Sequence, residues 1–185
     1  PSDEFYMFER GLFPKLLEMG IPVYGYQARP YWVDLGTPAN YARVHQDLLT
    51  SSSTGQWAEV YSADQGHGSA IHATAKVTGP VLLGEGCSIG PGAVIQGPSV
   101  LGAGCVVGQD AVIMGSILWR GVVVERGAAL HGCIIGDGGL IGEGARVGER
   151  CILGDDVVLG KDNHVDRGMV LWPGRTLESE TVSFH

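Results

Sequence analysis

Long apolar runs are missing from this 185-residue chain. No stretch approaches the roughly 20 residues that a bilayer-spanning helix requires, so no membrane partner is expected. Basic clusters are missing too. Twelve Lys and Arg stand against twenty Asp and Glu, for a net charge of −8. Without a basic patch or run, binding to nucleic acid through its phosphates is disfavoured. Cysteine is scarce at four residues, so no dense disulfide framework is expected and nothing requires an oxidising compartment. The first residues, Pro1-Ser2-Asp3-Glu4, carry neither an initiator Met nor a signal-peptide pattern. A cytoplasmic chain that is a fragment or a processed product is therefore expected.

Glycine, by contrast, is abundant, at 30 residues, more than twice average usage. The reason is a period of six. Ile71, Val77, Leu83, Ile89, Ile95, Leu101, Val107 and Ile113 are aliphatic and six apart. A second register runs through Ile117, Val123, Ala129, Ile135, Ile141, Val147, Leu153, Leu159, Val165, Leu171 and Leu177. The two differ by two residues, a shift assigned to Ile113-Met114-Gly115-Ser116. Six fits neither a lone helix nor an alternating sheet, and points to a solenoid. Each unit aims one aliphatic inward. The next position is often Gly, as at Gly84, Gly90 and Gly102, which permits either a positive φ or close approach of the next coil. Two positions before the anchor the side chain is small, as at Ala75, Ala93 and Ser99. Three units make an 18-residue triangular coil, so residues 71–177 form about six stacked coils. Cys87 and Cys105 are 18 apart, as are Cys133 and Cys151. Each pair shares a column, where a disulfide or metal site competes with the simpler reading of small inward residues like Ala.

This spacing resembles the hexapeptide-repeat family. The resemblance implies a left-handed parallel β-helix, a handedness opposite to the general preference for right-handed crossovers. The expected fold class is mainly β, a β-helix preceded by a small α/β remnant.

Residues 1–50 read differently. Phe8, Leu12, Phe13, Leu16 and Leu17 have helical spacing, with Gly20 as a stop. Pro22–Tyr26 and Tyr31–Leu35 read as short strands. Thr37 reads as an N-cap with Pro38 at the first helical position, opening a helix to about Leu49. Thr50–Gly55 reads as a flexible linker and 57–68 as a lead-in to the first coil. The expected organisation is 1–50, a linker and lead-in at 51–70, the β-helix at 71–177 and a tail at 178–185. The lead-in and the tail are expected to cap the two ends of the solenoid, whose backbone edges would otherwise be open.

Residues 5–50, with FERGLFPKLLEMGIPVYGY and then Trp32, Asp34, Gly36, Thr37, Pro38 and Tyr41 in the order W-x-D-x-G-T-P-x-x-Y, resemble the end of the catalytic domain of sugar-nucleotide pyrophosphorylases. These nucleotidyltransferases join a nucleoside triphosphate to a sugar 1-phosphate, and a β-helix follows in their long members, notably mannose-1-phosphate guanylyltransferases. The resemblance implies that Asp34 is a Mg²⁺ ligand, that Glu9, Trp32, Gly36 and Thr37 lie near substrate, and that GDP-mannose is the product. Hard carboxylate oxygens suit Mg²⁺, which neutralises charge during phosphoryl transfer. From spacing alone, Asp34 is instead a turn carboxylate helping to cap the next helix. The family's nucleotide-binding loop, G-x-G-T-R-L followed by Lys, is not in this sequence. Gly84-Glu85-Gly86 and Gly102-Ala103-Gly104 are coil corners. The chain alone is therefore expected not to catalyse nucleotidyl transfer.

Two other readings compete. The β-helix resemblance also implies acyl transfer with a His base, for which His164 and His131 are candidates, Asp162 or Asp166 orienting His164. Both histidines also fit simple outward coil positions. Alternatively the chain is a non-catalytic structural part, a homo-oligomer formed through the β-helix. Trp119 and Trp172 are candidate interface residues for that reading, or caps over a prism end or loop.

Overall fold

A computed structural model describes residues 6–51 and 66–182, and two compact units divide between Val33 and Asp34. In the first unit, a π-helical turn Phe8–Leu12 leads into α1, Phe13–Glu18. Gly20 ends it at φ +68°, with Gly20 N donating to Leu17 O and Ile21 N to Leu16 O at 3.0 and 2.9 Å. That pair of bonds is the Schellman stop, which needs a left-handed residue that glycine supplies without strain. The strands expected at Pro22–Tyr26 and Tyr31–Leu35 do not form, and nearly all of these side chains are exposed. A strand needs a partner for its backbone ladder, and no neighbouring strand pairs with either segment among the described residues.

The second unit is a parallel β-solenoid of about six turns with a helix in front. It has three sheets, one per face. The first face starts with Ala70–Ile71 and ends with Thr176–Leu177; the second runs from Lys76–Thr78 to His164–Val165; the third runs from Val81–Leu83 to Val170–Leu171. Each turn contributes one strand to each face. Backbone ladders therefore run from coil to coil, and the interior needs only apolar side chains. Ile95, Ile113, Leu130, Ile135, Ile141, Leu159 and Val165 are fully buried. Each contributes about 2 kcal/mol of apolar burial.

The register differs from the sequence expectation. Val94 pairs with Val112, eighteen residues on, but Val112 pairs with Ala129 and Ala129 with Arg146, seventeen on. The shift of two is thus split into two single-residue shortenings, at Met114-Gly115-Ser116 and His131-Gly132-Cys133. The inward residues between them are Leu118, Val124 and Leu130, at 1%, 0% and 0% exposure, rather than Ile117, Val123 and Ala129. Ile71 and Val77, counted as inward, are exposed where the solenoid begins.

The two glycine columns divide the roles that the sequence left open. Gly102 needs no positive φ; a Cβ there would lie 2.7 Å from the carbonyl carbon of Trp119 in the next coil. Positive φ falls two residues later, at Gly104, where a Cβ would meet nothing within 4 Å. The final coil is closed by Asn163. Its side chain is fully buried and donates to Gly160 O and Glu178 O, while its carbonyl accepts from the Thr181 and Val182 amides at 2.9 and 2.8 Å. The tail expected to cap that end is thus tied down as far as Val182; residues 183–185 lie outside the described residues. Most of the linker and lead-in, 52–65, lies outside them too.

Candidate functional site

The helix α2, Pro38–Ser51, belongs to the same unit as the solenoid. Its start is built locally. The Asn40 amide donates to Thr37 Oγ1 at 3.2 Å, the N-cap bond, and Pro38 occupies the first helical position. Asp34 lies one turn earlier. One carboxylate oxygen accepts the Gly36 amide at 3.0 Å, and its backbone carbonyl accepts Asn40 Nδ2 at 2.8 Å. Asp34 therefore shapes the entry to α2. Asp34, Gly36 and Thr37 are exposed.

The helix meets the third face of the solenoid. Tyr41 stacks tilted against Trp119, and packs edge-on against His45 within the helix at a 4.5 Å ring separation. Burial holds the half-buried His45 below its ordinary value of 6.5. The outward aliphatics of this face include Val100, Ile117, Ile134 and Ile152. Clefts along the seam join Leu35, Pro38 and Tyr41 of the helix segment to Trp119, Ile134 and Ile152, one of them about 340 Å³. Trp119 thus has an intramolecular partner, and stands on the solenoid's side rather than at an end. Trp172 stands in the corresponding position of the last coil, 73% exposed and followed by Pro173.

A second, more polar cleft of about 590 Å³ separates α2 from the corners between the second and third faces. Arg43 and Gln46 line its helix wall; Gln96, His131, Glu149 and Arg150 line the corner wall. Of the two candidate histidines, His131 is brought here and is exposed. His164 lies elsewhere on the second face, in the last coil, with its amide bonded to Val182 O at 2.7 Å. Asp166 accepts the Arg167 amide at 2.7 Å and Asp162 faces Lys161 at 3.8 Å, so both carboxylates have partners other than His164. Glu9 and Trp32 belong to the first unit and are exposed there.

The cysteines are core residues. All four are free and buried. Cys87 Sγ donates to Gly102 O and Cys105 Sγ to Trp119 O at 3.3 and 3.0 Å. Burial pushes the Cys133 thiol up to about 12. Among the described residues no three His, Cys, Asp or Glu side chains are grouped to hold a metal, and no helix is long and apolar enough to cross a membrane.

The residues missed by sequence reasoning are Arg43, Gln46, Gln96, Glu149 and Arg150. Arg43 and Gln46 were legible as one face of the predicted helix. Nothing in the sequence indicates that this face lies against the shortened corners.

A family model described as the EIF2B subunit epsilon LbH domain matches residues 58–165, more than half of the chain. The chain belongs to this family. The β-solenoid is thereby the LbH domain, consistent with a left-handed β-helix. No curated protein matches the chain. Solved structures similar to this LbH chain include the acetyltransferase domain of PglB from Neisseria gonorrhoeae, at 23% identity and TM-score 0.58 over 75% of this chain and 66% of that one. A mutant GDP-perosamine N-acetyl transferase from Caulobacter crescentus, in complex with CoA and GDP-perosamine, is similar at 22% identity and TM-score 0.57, over 71% and 70% of the two chains. At these identities the likeness to the LbH chain is one of fold.

Proposed function

We propose that this LbH-family chain is the assembly-bearing part of a cytoplasmic sugar-1-phosphate nucleotidyltransferase forming GDP-mannose from GTP and mannose 1-phosphate. One observation carries the reading. The helix that opens at Pro38, four residues after Asp34 and within the W-x-D-x-G-T-P-x-x-Y stretch, is packed on the solenoid through Tyr41 and Trp119. Asp34 and the β-helix are therefore parts of one unit, and the solenoid holds the turn in place. The Asp34 carboxylate is exposed and offers the hard oxygens that Mg²⁺ takes. In this reading Asp34 supplies one of the several oxygen ligands of a Mg²⁺ site. Mg²⁺ bound there would neutralise phosphate charge. Asp34's own part is to hold its carboxylate fixed through the Gly36 amide. Assembly as a homo-oligomer is supported by the first face, where Val106, Val123, Leu140 and Val158 form an outward aliphatic column beside their buried neighbours.

The test is pyrophosphate release from GTP and mannose 1-phosphate, with dTTP and glucose 1-phosphate as a second pair. The chain alone is expected to show none. The protein that carries it is expected to show Mg²⁺-dependent turnover, falling at least about a hundredfold on Asp34→Asn, the scale of lost electrostatic stabilisation. Turnover by the chain alone, or an unaffected Asp34→Asn protein, would overturn the reading.

A second reading is acyl transfer. It is supported by His131 standing exposed in the polar cleft and by the fold shared with acetyltransferases. Calorimetric binding of acetyl-CoA, lost on His131→Ala or His164→Ala, would favour it over the first.

A further inference from the structure

The polar cleft between α2 and the shortened corners is not needed for nucleotidyl transfer, yet its chemistry is specific. Two residue deletions make it. Where other coils spend six residues per corner, the corners at Gly115 and Gly132 spend five, and both glycines take φ +58°. A Cβ on Gly115 would meet nothing within 4 Å, so this corner opens onto free space, whereas one on Gly132 would meet Glu149 Cγ at 3.4 Å. Between the helix and these corners lies a space of about 590 Å³. That is within the range of small-molecule sites.

The charges run against the background of the protein. Its net charge is −8, and three ion pairs, Arg120–Asp137, Arg126–Glu143 and Lys161–Asp162, tie cations to acids on the solenoid. Arg43 and Arg150 hold no ion pair among the described residues, and they line opposite walls of one cleft. Arg150 does so from φ +61°, in the corner position that Gly115 and Gly132 occupy in the two preceding coils. An arginine in the left-handed region is costlier than the glycines it replaces. Gln46 and Gln96 add amide donors from the two walls, His131 adds a ring nitrogen, and Glu149 is the one acid among the described residues lining the space.

We propose that this cleft binds a small phosphate monoester carrying hydroxyl groups, and that the bound ligand clamps α2 to the solenoid. Paired guanidinium forks match the geometry of a phosphate dianion better than any other side chain. Glu149 and the two amides suit hydroxyls on the organic part. Because Arg43 is on the helix and Arg150 on the corner, a shared phosphate bridges the two elements. The ligand then stabilises the docked arrangement by its binding energy. The inference does not depend on the nucleotidyltransferase reading, since no residue of the Asp34 turn takes part.

Glycerol 3-phosphate is the probe, followed by calorimetry and thermal melting at an ionic strength matched with KCl. A saturable rise in melting temperature is expected, together with slower amide exchange over 38–50. Inorganic phosphate should bind more weakly and succinate not measurably. Arg43→Ala and Arg150→Gly should each weaken binding about tenfold or more, the scale of a lost charge-assisted hydrogen bond. Without ligand, Arg43→Ala should melt close to the parent chain, because its guanidinium is exposed, and Arg150→Gly should melt no lower, because glycine accepts that backbone angle more readily than arginine. The proposal is overturned if the parent chain shows no saturable binding. It is also overturned if the double variant binds equally well, or if succinate binds as tightly as the phosphate.

Discussion

Tyr41 and Trp119 meet with ring centroids 6.3 Å apart and planes inclined at 59°. This contact joins a helix near residue 40 to the third coil of the solenoid. Trp119 occupies a column that is glycine in the neighbouring coils, at Gly102 and Gly136, so its bulk is available to the helix rather than to the next coil. A double-mutant cycle with Tyr41→Ala and Trp119→Ala should give a coupling of about 0.5–1.5 kcal/mol in urea denaturation, as for other aromatic pairs. Amide exchange over 38–50 should quicken in both single variants. A coupling near zero would mean that the helix is held by other contacts.

The glycine columns make opposite predictions two residues apart. Gly102→Ala drives a methyl against the Trp119 backbone, which cannot retreat without opening the coil-to-coil ladder. A loss of about 2–3 kcal/mol is expected. Gly104→Asn meets open space at φ +70°, a region that asparagine tolerates, and should cost under about 1 kcal/mol. Equal costs in chemical denaturation would show that close coil stacking does not set the glycine content.

Much of this was legible because the solenoid repeats its physics in its sequence. The period, the small corner column, the Thr37 cap and the Gly20 stop each rest on local rules that the structure obeys. The frame shift was harder to place. Ile117-Leu118 and Val123-Val124 offer an aliphatic residue at both candidate positions, so counting could not separate inward from outward. The ambiguity has a physical source. Ile117 faces outward yet is only 4% exposed, because it lies at the seam flanked by Tyr41 of α2 and Trp119. The cleft was hidden for a related reason: its walls come from residues fifty or more positions apart, and only the docking of α2 brings Arg43 opposite Arg150. Asn163 sits in the small-residue column, where its size suggests nothing of its hydrogen-bonding role.

That role predicts a local effect. Asn163→Ala removes the acceptor of the Thr181 and Val182 amides and the donor to Glu178 O. Leaving such groups unpaired costs about 1–3 kcal/mol each where water cannot reach them. Because each coil of a solenoid contacts only its neighbours, the loss should stay in the last coil. Amide exchange at Thr181 and Val182 should approach that of an open chain, and limited proteolysis should trim the C-terminal residues first. The first four coils should keep their protection. Global loosening of the solenoid would contradict nearest-neighbour stability.

His45 gives the seam a pH dependence whose sign follows from its burial. Its value in the folded chain lies below the ordinary 6.5, since desolvation disfavours the charged ring packed against Tyr41. The unfolded chain therefore binds the proton more tightly. The stability that depends on a neutral His45 is fully present above about pH 6.5. It falls as the pH drops below that value toward the lower folded one. Helix α2 should exchange its amides faster at pH 5.5 than at pH 8, after correction for the intrinsic exchange rate. His45→Gln keeps a hydrogen-bonding side chain without the titration, so the pH-dependent part of the difference should shrink. The other titratable groups are common to both proteins, which makes the comparison between the two the informative quantity. A seam that tightens on acidification would mean that the protonated ring finds an acceptor there, reversing the sign.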